Sequence, residues 1–114
     1  MNNLTSVLRP DVSIITIHGK TPQIDDSAFI APGCRIIGDV TIGPMASIWY
    51  NCVLRADVSS ITIGARTNIQ DGSVVHCDGE VPGVRAECPT IIGDDVLIGH
   101  MAMVHGCTIR SRGF

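Results

Sequence analysis

The sequence predicts an all-β chain folded as a left-handed parallel β-helix of hexapeptide repeats, in about four coils. Aliphatic residues, which we call the anchors, recur at every sixth position in three runs: Ile24, Ile30, Ile36, Ile42, Ile48, Leu54; Ile63, Ile69, Val75; and Ile92, Ile98, Val104. Two positions before most anchors the residues are small or β-branched: Ala28, Cys34, Val40, Ala46, Cys52, Ile61, Thr67, Ser73, Thr90, Val96 and Ala102. A period of six fits neither a helix nor an alternating strand, and it is typical of a parallel β-helix.

The repeat also predicts how the coils stack. Three hexads make one triangular coil, whose sides we call the first, second and third faces in chain order from Ile24. Each coil buries its apolar side only against a neighbouring coil, which places equivalent residues about 4.8 Å apart. A short insertion at residues 58–60 shifts the phase before the third coil. Glycines that follow anchors are expected in the turns, at positive φ: Gly43, Gly64, Gly93 and Gly99.

These elements make one domain over residues 1–114. Residues 1–23 are expected to form an N-terminal strand and cap, because the stretch 12–17 is β-branched. The coils span residues 24–109 and are interrupted at 78–89, where several glycines and prolines predict a protruding loop. Residues 110–114 are read as a non-repeat tail, since they lack the glycine-led hexad that the repeat would require.

Composition narrows the function. The 114 residues are 45% hydrophobic with a net charge of −3 and no basic cluster, which argues against a nucleic-acid partner. No apolar stretch is long enough to span a membrane and the start does not resemble a signal peptide, so we expect a cytoplasmic protein with no membrane partner. Five cysteines without a C-x-x-C pair argue against a disulfide framework. Cys34 and Cys52 are predicted to be buried hydrophobic residues.

Two histidines occupy equivalent places in the repeat. His76 follows the third-face anchor Val75 by one residue, and His105 follows Val104 by one residue, one coil later. We therefore expect the two imidazoles to stack as neighbours that point out of the coil, with Arg55 below them in the same column. Two imidazoles one strand spacing apart can share a metal ion. Cys77 is expected to point inward and not to be a ligand, and His18 lies outside the repeat.

A third histidine lies around a corner from this column. His100 follows the second-face anchor Ile98 by two residues, and Asp71 occupies the equivalent place one coil below. Within one subunit His100 should therefore face away from His76 and His105. It completes their site only if it comes from a neighbouring subunit, as the closed symmetry of a homotrimer allows. The sequence thus predicts three equivalent metal sites, each at a subunit interface.

Three segments carry a family resemblance: SIWYNCVLRAD (Ser47 to Asp57), RTNIQDGSVVH (Arg66 to His76) and PTIIGDDVLIGHMAMVHGCTI (Pro89 to Ile109). From about Ser13 to Ile109 the chain resembles the gamma-class carbonic anhydrases and the related hexapeptide-repeat proteins labelled as transferases. The resemblance implies a homotrimer with Zn²⁺ at its interfaces, and Fe²⁺ or Co²⁺ as alternative metals. It implies metal ligands at His76, His100 and His105, and further site residues at Arg55, Asp57, Asn68, Gln70 and Asp71.

The resemblance also implies an activity and roles. The expected enzyme is a zinc lyase that reversibly hydrates CO₂ to bicarbonate through a metal-bound hydroxide. Gln70 would contact the metal-bound water, and Arg55 would form a salt bridge with Asp71 across the subunit contact. Two departures argue for low turnover: Val58 replaces a glutamate of the prototypical enzyme, and the loop offers only Glu80 and Glu87 as proton shuttles.

Other interpretations stay open at this point. Relatives continue for two or more coils and a capping helix, so the ending Arg110–Phe114 suggests a truncated or frame-shifted product, or a fragment, without that helix. One alternative function is a hexapeptide acyltransferase that uses acyl-CoA, with a histidine as general base. The other is a non-catalytic scaffold subunit of the gamma class, which would keep the fold and the histidines.

Overall fold

The computed structural model describes residues 8–113. These residues form twelve strands and no helix, and hence no helix that could cross a membrane. The strands are β1 (Ser13–Ile15), β2 (Gln23–Ile24), β3 (Phe29–Ile30), β4 (Arg35–Ile42), β5 (Ser47–Ile48), β6 (Val53–Ile63), β7 (Asn68–Ile69), β8 (Val74–His76), β9 (Thr90–Ile92), β10 (Leu97–Ile98), β11 (Met103–His105) and β12 (Thr108–Ile109).

All pairing between these strands is parallel and joins successive coils, which confirms the predicted all-β solenoid. The second face is a sheet of four short strands in the order β3-β5-β7-β10. The third face stacks β1, β4, β6, β8 and β11, and the first face stacks β2, β4, β6, β9 and β12. β4 and β6 are long because each runs around the corner between these two faces.

The core is the column of anchors inside the triangle. All twelve anchors are at most 7% exposed, and Cys34 and Cys52 are fully buried as predicted. Burying a side chain of this size contributes roughly 1.5–3 kcal/mol, so the repeat itself supplies the main stabilising term. Buried hydroxyls in the inner positions donate to backbone carbonyls, as Ser73 does to the Gly99 oxygen at 2.8 Å.

The solenoid has about five turns, one more than the repeat predicts. At its lower end β1 pairs with β4, with Ser13 opposite Arg35. At its upper end β12 pairs with β9, and the backbone continues around the next corner: the Arg112 amide donates to the Asp94 carbonyl at 2.9 Å. The count from sequence was too low because these end segments follow the coil path without a complete set of hexads.

The two interruptions of the repeat have different structures. β4 and β6 pair with Gly38 opposite Ala56 and then with Val40 opposite Ile61. β6 therefore has more residues than β4 between these two pairs, and its residues 57–60 bulge outward. Residues 78–88 leave the coil as an exposed loop that two antiparallel bridges close, Asp78 with Cys88 and Val81 with Arg85.

The expected role of the glycines after anchors was wrong. Gly43, Gly64, Gly93 and Gly99 do not adopt positive φ. At two of the corners the left-handed residues lie three positions before an anchor. Several of them carry side chains, namely Met45, Arg66 and Asp95 at one corner and Asn51 and Met101 at another.

Gly43, Gly64 and Gly93 are needed for close approach of the backbones, whereas a Cβ on Gly99 would meet nothing within 4 Å. A Cβ on Gly64 would lie 2.4 Å from the carbonyl carbon of Gly93, and a Cβ on Gly93 would lie 2.7 Å from the Ser111 nitrogen. The first and second faces meet here, and the coils stack backbone against backbone. Any side chain at Gly64 or Gly93 would push neighbouring coils apart.

We predict that Gly64→Ala lowers the free energy of unfolding by about 1–3 kcal/mol, the usual cost of overpacking a close contact. Gly99→Ala is the matched control, because its Cβ would meet nothing within 4 Å. It should change stability by less than about 0.5 kcal/mol. Denaturant unfolding monitored by circular dichroism checks both, and equal effects would contradict the close-approach explanation.

Candidate metal centre

His76 and His105 form the core of the candidate site. They end β8 and β11, which pair in register with His105 opposite His76, and Arg55 on β6 lies opposite His76 in turn. The imidazole ring centroids are 5.1 Å apart and the rings are tilted by 56°. The predicted outward column of Arg55, His76 and His105 is therefore confirmed.

Asp57 joins the lower two members of this column. Its Oδ1 lies 3.0 Å from His76 Nε2, and its Oδ2 accepts a hydrogen bond from Arg55 Nη1 at 2.6 Å. Partial desolvation raises the pKa of Asp57, but the hydrogen bonds from His76 and Arg55 outweigh it and hold that pKa below its usual value. The carboxylate is therefore ionised and accepts from both neighbours.

His105 has a carboxylate partner that the sequence analysis missed. Asp78 Oδ1 lies 2.6 Å from His105 Nε2, and Arg85 Nη2 approaches the same oxygen at 3.8 Å. Asp78 is the first residue of the loop, outside the hexads, so the repeat gives no register for it. The one signal in the sequence is its place two residues after His76. We call Arg55, Asp57, His76, Asp78 and His105 the two-histidine cluster.

His100 lies at the corner between the second and third faces. Its side chain is 66% exposed, and its Nδ1 lies 3.3 Å from Asp71 Oδ1, one coil below as predicted. Both line a shallow depression together with Tyr50, Asn51, Gly72 and Met101. In residues 8–113 of one protomer, no three His, Cys, Asp or Glu side chains converge to hold a metal ion.

Two further predicted site residues accompany His100. Asn68 on β7 accepts a hydrogen bond from Gln70 Nε2, and both belong to the same second face and corner as Asp71. Within the protomer Arg55 pairs with Asp57, and its expected partner Asp71 belongs to the other corner. We call Asn68, Gln70, Asp71 and His100 the one-histidine cluster.

The donor set suits a metal ion such as zinc. Neutral imidazoles bind Zn²⁺, Fe²⁺ or Co²⁺, and histidine ligands usually donate their other ring N–H to a carboxylate. His76 and His105 each have such a carboxylate, Asp57 and Asp78. Cys77 is fully buried beside them, and burial raises the pKa of its thiol, so it is not part of the ligand set. The two-histidine cluster thus fits two of the three ligands expected.

Comparisons with known proteins show which proteins the chain resembles. No protein-family model matches the chain. The chain is 47% identical over 102 residues to gamma carbonic anhydrase 1, mitochondrial, of Arabidopsis thaliana, covering 90% of this chain and 37% of that protein. It is 52% identical over 90 residues to a probable carbonic anhydrase of Methanocaldococcus jannaschii, covering 79% of this chain and 52% of that protein.

Among solved structures, a hexapeptide transferase family protein from Anaplasma phagocytophilum superposes with a TM-score of 0.74 and 48% identity over 84% of this chain and 52% of that one. The fold and the column of histidines together define the class of protein, a hexapeptide-repeat β-solenoid that carries imidazoles on one outer face. The chain belongs to the gamma carbonic anhydrase and hexapeptide transferase family. It spans about half the length of the curated relatives it matches, between 36% and 56%.

Thr90 connects the two strands that carry the histidines. Its buried hydroxyl donates to the His76 carbonyl and accepts the Gly106 amide at 2.8 Å. We predict that Thr90→Val costs about 1–3 kcal/mol of unfolding free energy, because buried polar groups lose their partner. It should also shift the NMR signals of the His76 and His105 rings.

Thr67→Val is the matched control for this substitution. The Thr67 hydroxyl is equally buried and bridges Gly93 and Val96 in the same way, away from the histidines. It should destabilise the protein to a similar extent without moving the ring signals. Identical ring shifts in both variants would show that Thr90 has no special connection to the cluster.

Proposed function

We propose that the chain assembles as a homotrimer and binds zinc at each interface through His76 and His105 of one protomer and His100 of the next. The proposed activity is the reversible hydration of CO₂ to bicarbonate. One observation carries the proposal: two imidazoles stack 5.1 Å apart with a carboxylate on each, while His100 stands exposed on another corner of the same protomer. Relatives named carbonic anhydrase support the activity.

A rotational assembly suits the surface between the two clusters. The outward side chains of the third face lie between the His100 corner and the histidine column. Met103 on this face is 74% exposed, and Met101 at the His100 corner is 80% exposed. Exposed apolar side chains in a contiguous group mark interaction surfaces, and a three-fold axis would bury them in three equivalent contacts. Such contacts would bring the one-histidine cluster of one protomer to the two-histidine cluster of its neighbour.

Each residue of the two clusters has a part in the proposed reaction. Zinc held by the three histidines would supply the nucleophile for CO₂ near neutral pH. Asp57 and Asp78 fix the rings of His76 and His105. The Gln70 amide, held by Asn68, offers a hydrogen bond to a substrate oxygen, because amides both donate and accept. Arg55 would pair with Asp71 of the neighbouring protomer. The same imidazoles would accept iron or cobalt.

A non-catalytic zinc-binding scaffold is the second candidate, and the loop favours it. Glu87 accepts a hydrogen bond from Ser59 at 2.9 Å, outside the two-histidine cluster, and Glu80 lies exposed on the loop. Val58 is 50% exposed where a glutamate was expected. This arrangement offers slow proton exchange with solvent, and a protein of this kind would bind zinc with little hydratase activity.

The first test is the metal content and activity of the purified protein. We predict close to one zinc ion per chain, lost in His105→Ala and retained in the control His18→Ala, because His18 lies outside both clusters. Elemental analysis measures the metal, and stopped-flow CO₂ hydration measures the activity. Zinc with hydration supports the enzyme, and zinc without it supports the scaffold.

Two results would contradict the zinc site. One is a wild-type chain that is folded and zinc-free after reconstitution with Zn²⁺. The other is an equal zinc content in wild type and His105→Ala. Turnover of an acyl-CoA thioester by the zinc-free protein would instead favour the transferase.

The interface model makes a separate prediction. Trimers mixed from His100→Ala and His76→Ala chains should regain some complete sites, because the intact ligands of each chain meet across a contact. Reconstituted mixtures should therefore bind zinc, while each variant alone should not. Mixed trimers that are folded, verified by mass spectrometry, and still zinc-free would refute the shared site.

A further inference from the structure

We propose that Asp78 is the positioning residue for His105, so that the loop, and not the coil, sets the orientation of one metal ligand. The inference rests on the proposed metal site and adds to it a residue outside the repeat. Its basis is the 2.6 Å contact between Asp78 Oδ1 and His105 Nε2.

The contact fixes the protonation pattern of the ring. A carboxylate oxygen accepts hydrogen bonds, so this contact orients the ring with its Nε2–H toward Asp78. In that tautomer the lone pair of the neutral ring lies on Nδ1. A carboxylate behind a ligand histidine orients the ring and raises its basicity, and its loss usually weakens metal binding by about 10–100-fold.

The surroundings of Asp78 hold its carboxylate in place. Its backbone exchanges both hydrogen bonds with Cys88, at 2.9 and 2.8 Å, which closes the base of the loop. Arg85 Nη2 lies 3.8 Å from its Oδ1, and Arg85 Nε donates to the Gly79 carbonyl at 3.1 Å. The guanidinium thus connects the loop tip to the same carboxylate that contacts His105.

Gly106 provides the space for this carboxylate. It adopts φ +55°, and a Cβ there would lie 2.7 Å from Asp78 Oδ2. Any other residue directly after His105 would therefore displace Asp78 from the ring. The glycine and the loop carboxylate together form one built contact, independent of the hexapeptide pattern.

The two ligands of the cluster differ in how they are held. His76 is fixed by Asp57, the first residue of the bulge in β6, which directly follows the paired residues Arg55 and Ala56. His105 is fixed by a residue of an exposed loop. A change in loop conformation would therefore release His105 while leaving His76 in place.

The wild-type chain tests the inference without any metal. In the zinc-free protein, at a pH where the imidazoles are neutral, long-range ¹H–¹⁵N correlation spectra report the tautomer of each ring. We expect His105, assigned by its absence in His105→Gln, to be protonated almost entirely at Nε2, whereas a free histidine ring exists as a mixture of both tautomers. A mixture like that of a free ring, or a predominant Nδ1–H tautomer, would overturn the proposal.

Substitutions test the role itself. Asp78→Asn should weaken Zn²⁺ binding by about 10–100-fold in competition with a chromophoric chelator and should shift the His105 tautomer toward that of a free imidazole. Asp78→Glu should restore part of both effects. Glu80→Gln, which removes a carboxylate from the same loop, is the matched control. Asp78→Asn values equal to those of Glu80→Gln would overturn the proposal.

The two readouts separate this inference from the proposed function. If the wild-type chain binds no zinc while Asp78→Asn still changes the His105 tautomer, the metal site fails and the positioning contact stands. If zinc binds and neither affinity nor tautomer depends on Asp78, the metal site stands and the inference fails. Should Asp78→Asn not fold, the tautomer of the wild-type ring decides.

Discussion

Parallel backbone hydrogen bonds between successive coils determine where the side chains of the coil strands point. Leu54 pairs with Val75, and Val75 pairs with Val104, so the residue after each anchor falls into one outward column. A slip of one residue would exchange inner and outer side chains and drive the histidines into the core. The buried anchors prevent that slip, because it would expose the whole apolar column. Core packing and the spacing of the imidazoles therefore have a single cause.

The corners obey the same constraint. At the corner between the second and third faces, two left-handed residues donate their amides to the coil below: Gly72 donates to the Tyr50 carbonyl and Met101 to the Asp71 carbonyl. A left-handed conformation costs roughly 1–2 kcal/mol for a residue with a side chain. The hydrogen bond to the neighbouring coil offsets part of this cost, so Met101 is tolerated. It also places His100, the preceding residue, above Asp71 at 3.3 Å.

The sequence was sufficient for whatever depends on the repeat. It predicted the anchors, the column of Arg55, His76 and His105, and the separate corner of His100. Prediction from the sequence failed for features that do not depend on the hexapeptide repeat. Gly43, Gly64 and Gly93 are needed for backbone contact between coils, which a turn rule does not describe. Asp78 was missed because a loop of its own conformation carries it to His105.

The three imidazoles are thus held by three kinds of structure. A carboxylate in the bulge of β6 contacts His76, a loop carboxylate orients His105, and a corner turn presents His100. A metal ion shared by all three would bind only when the solenoid, the loop and the subunit contact are formed together. A ligand that binds only the assembled state stabilises that state by mass action. Metal binding in such a site would therefore stabilise the proposed trimer and the closed loop at once, and metal affinity would depend on chain concentration.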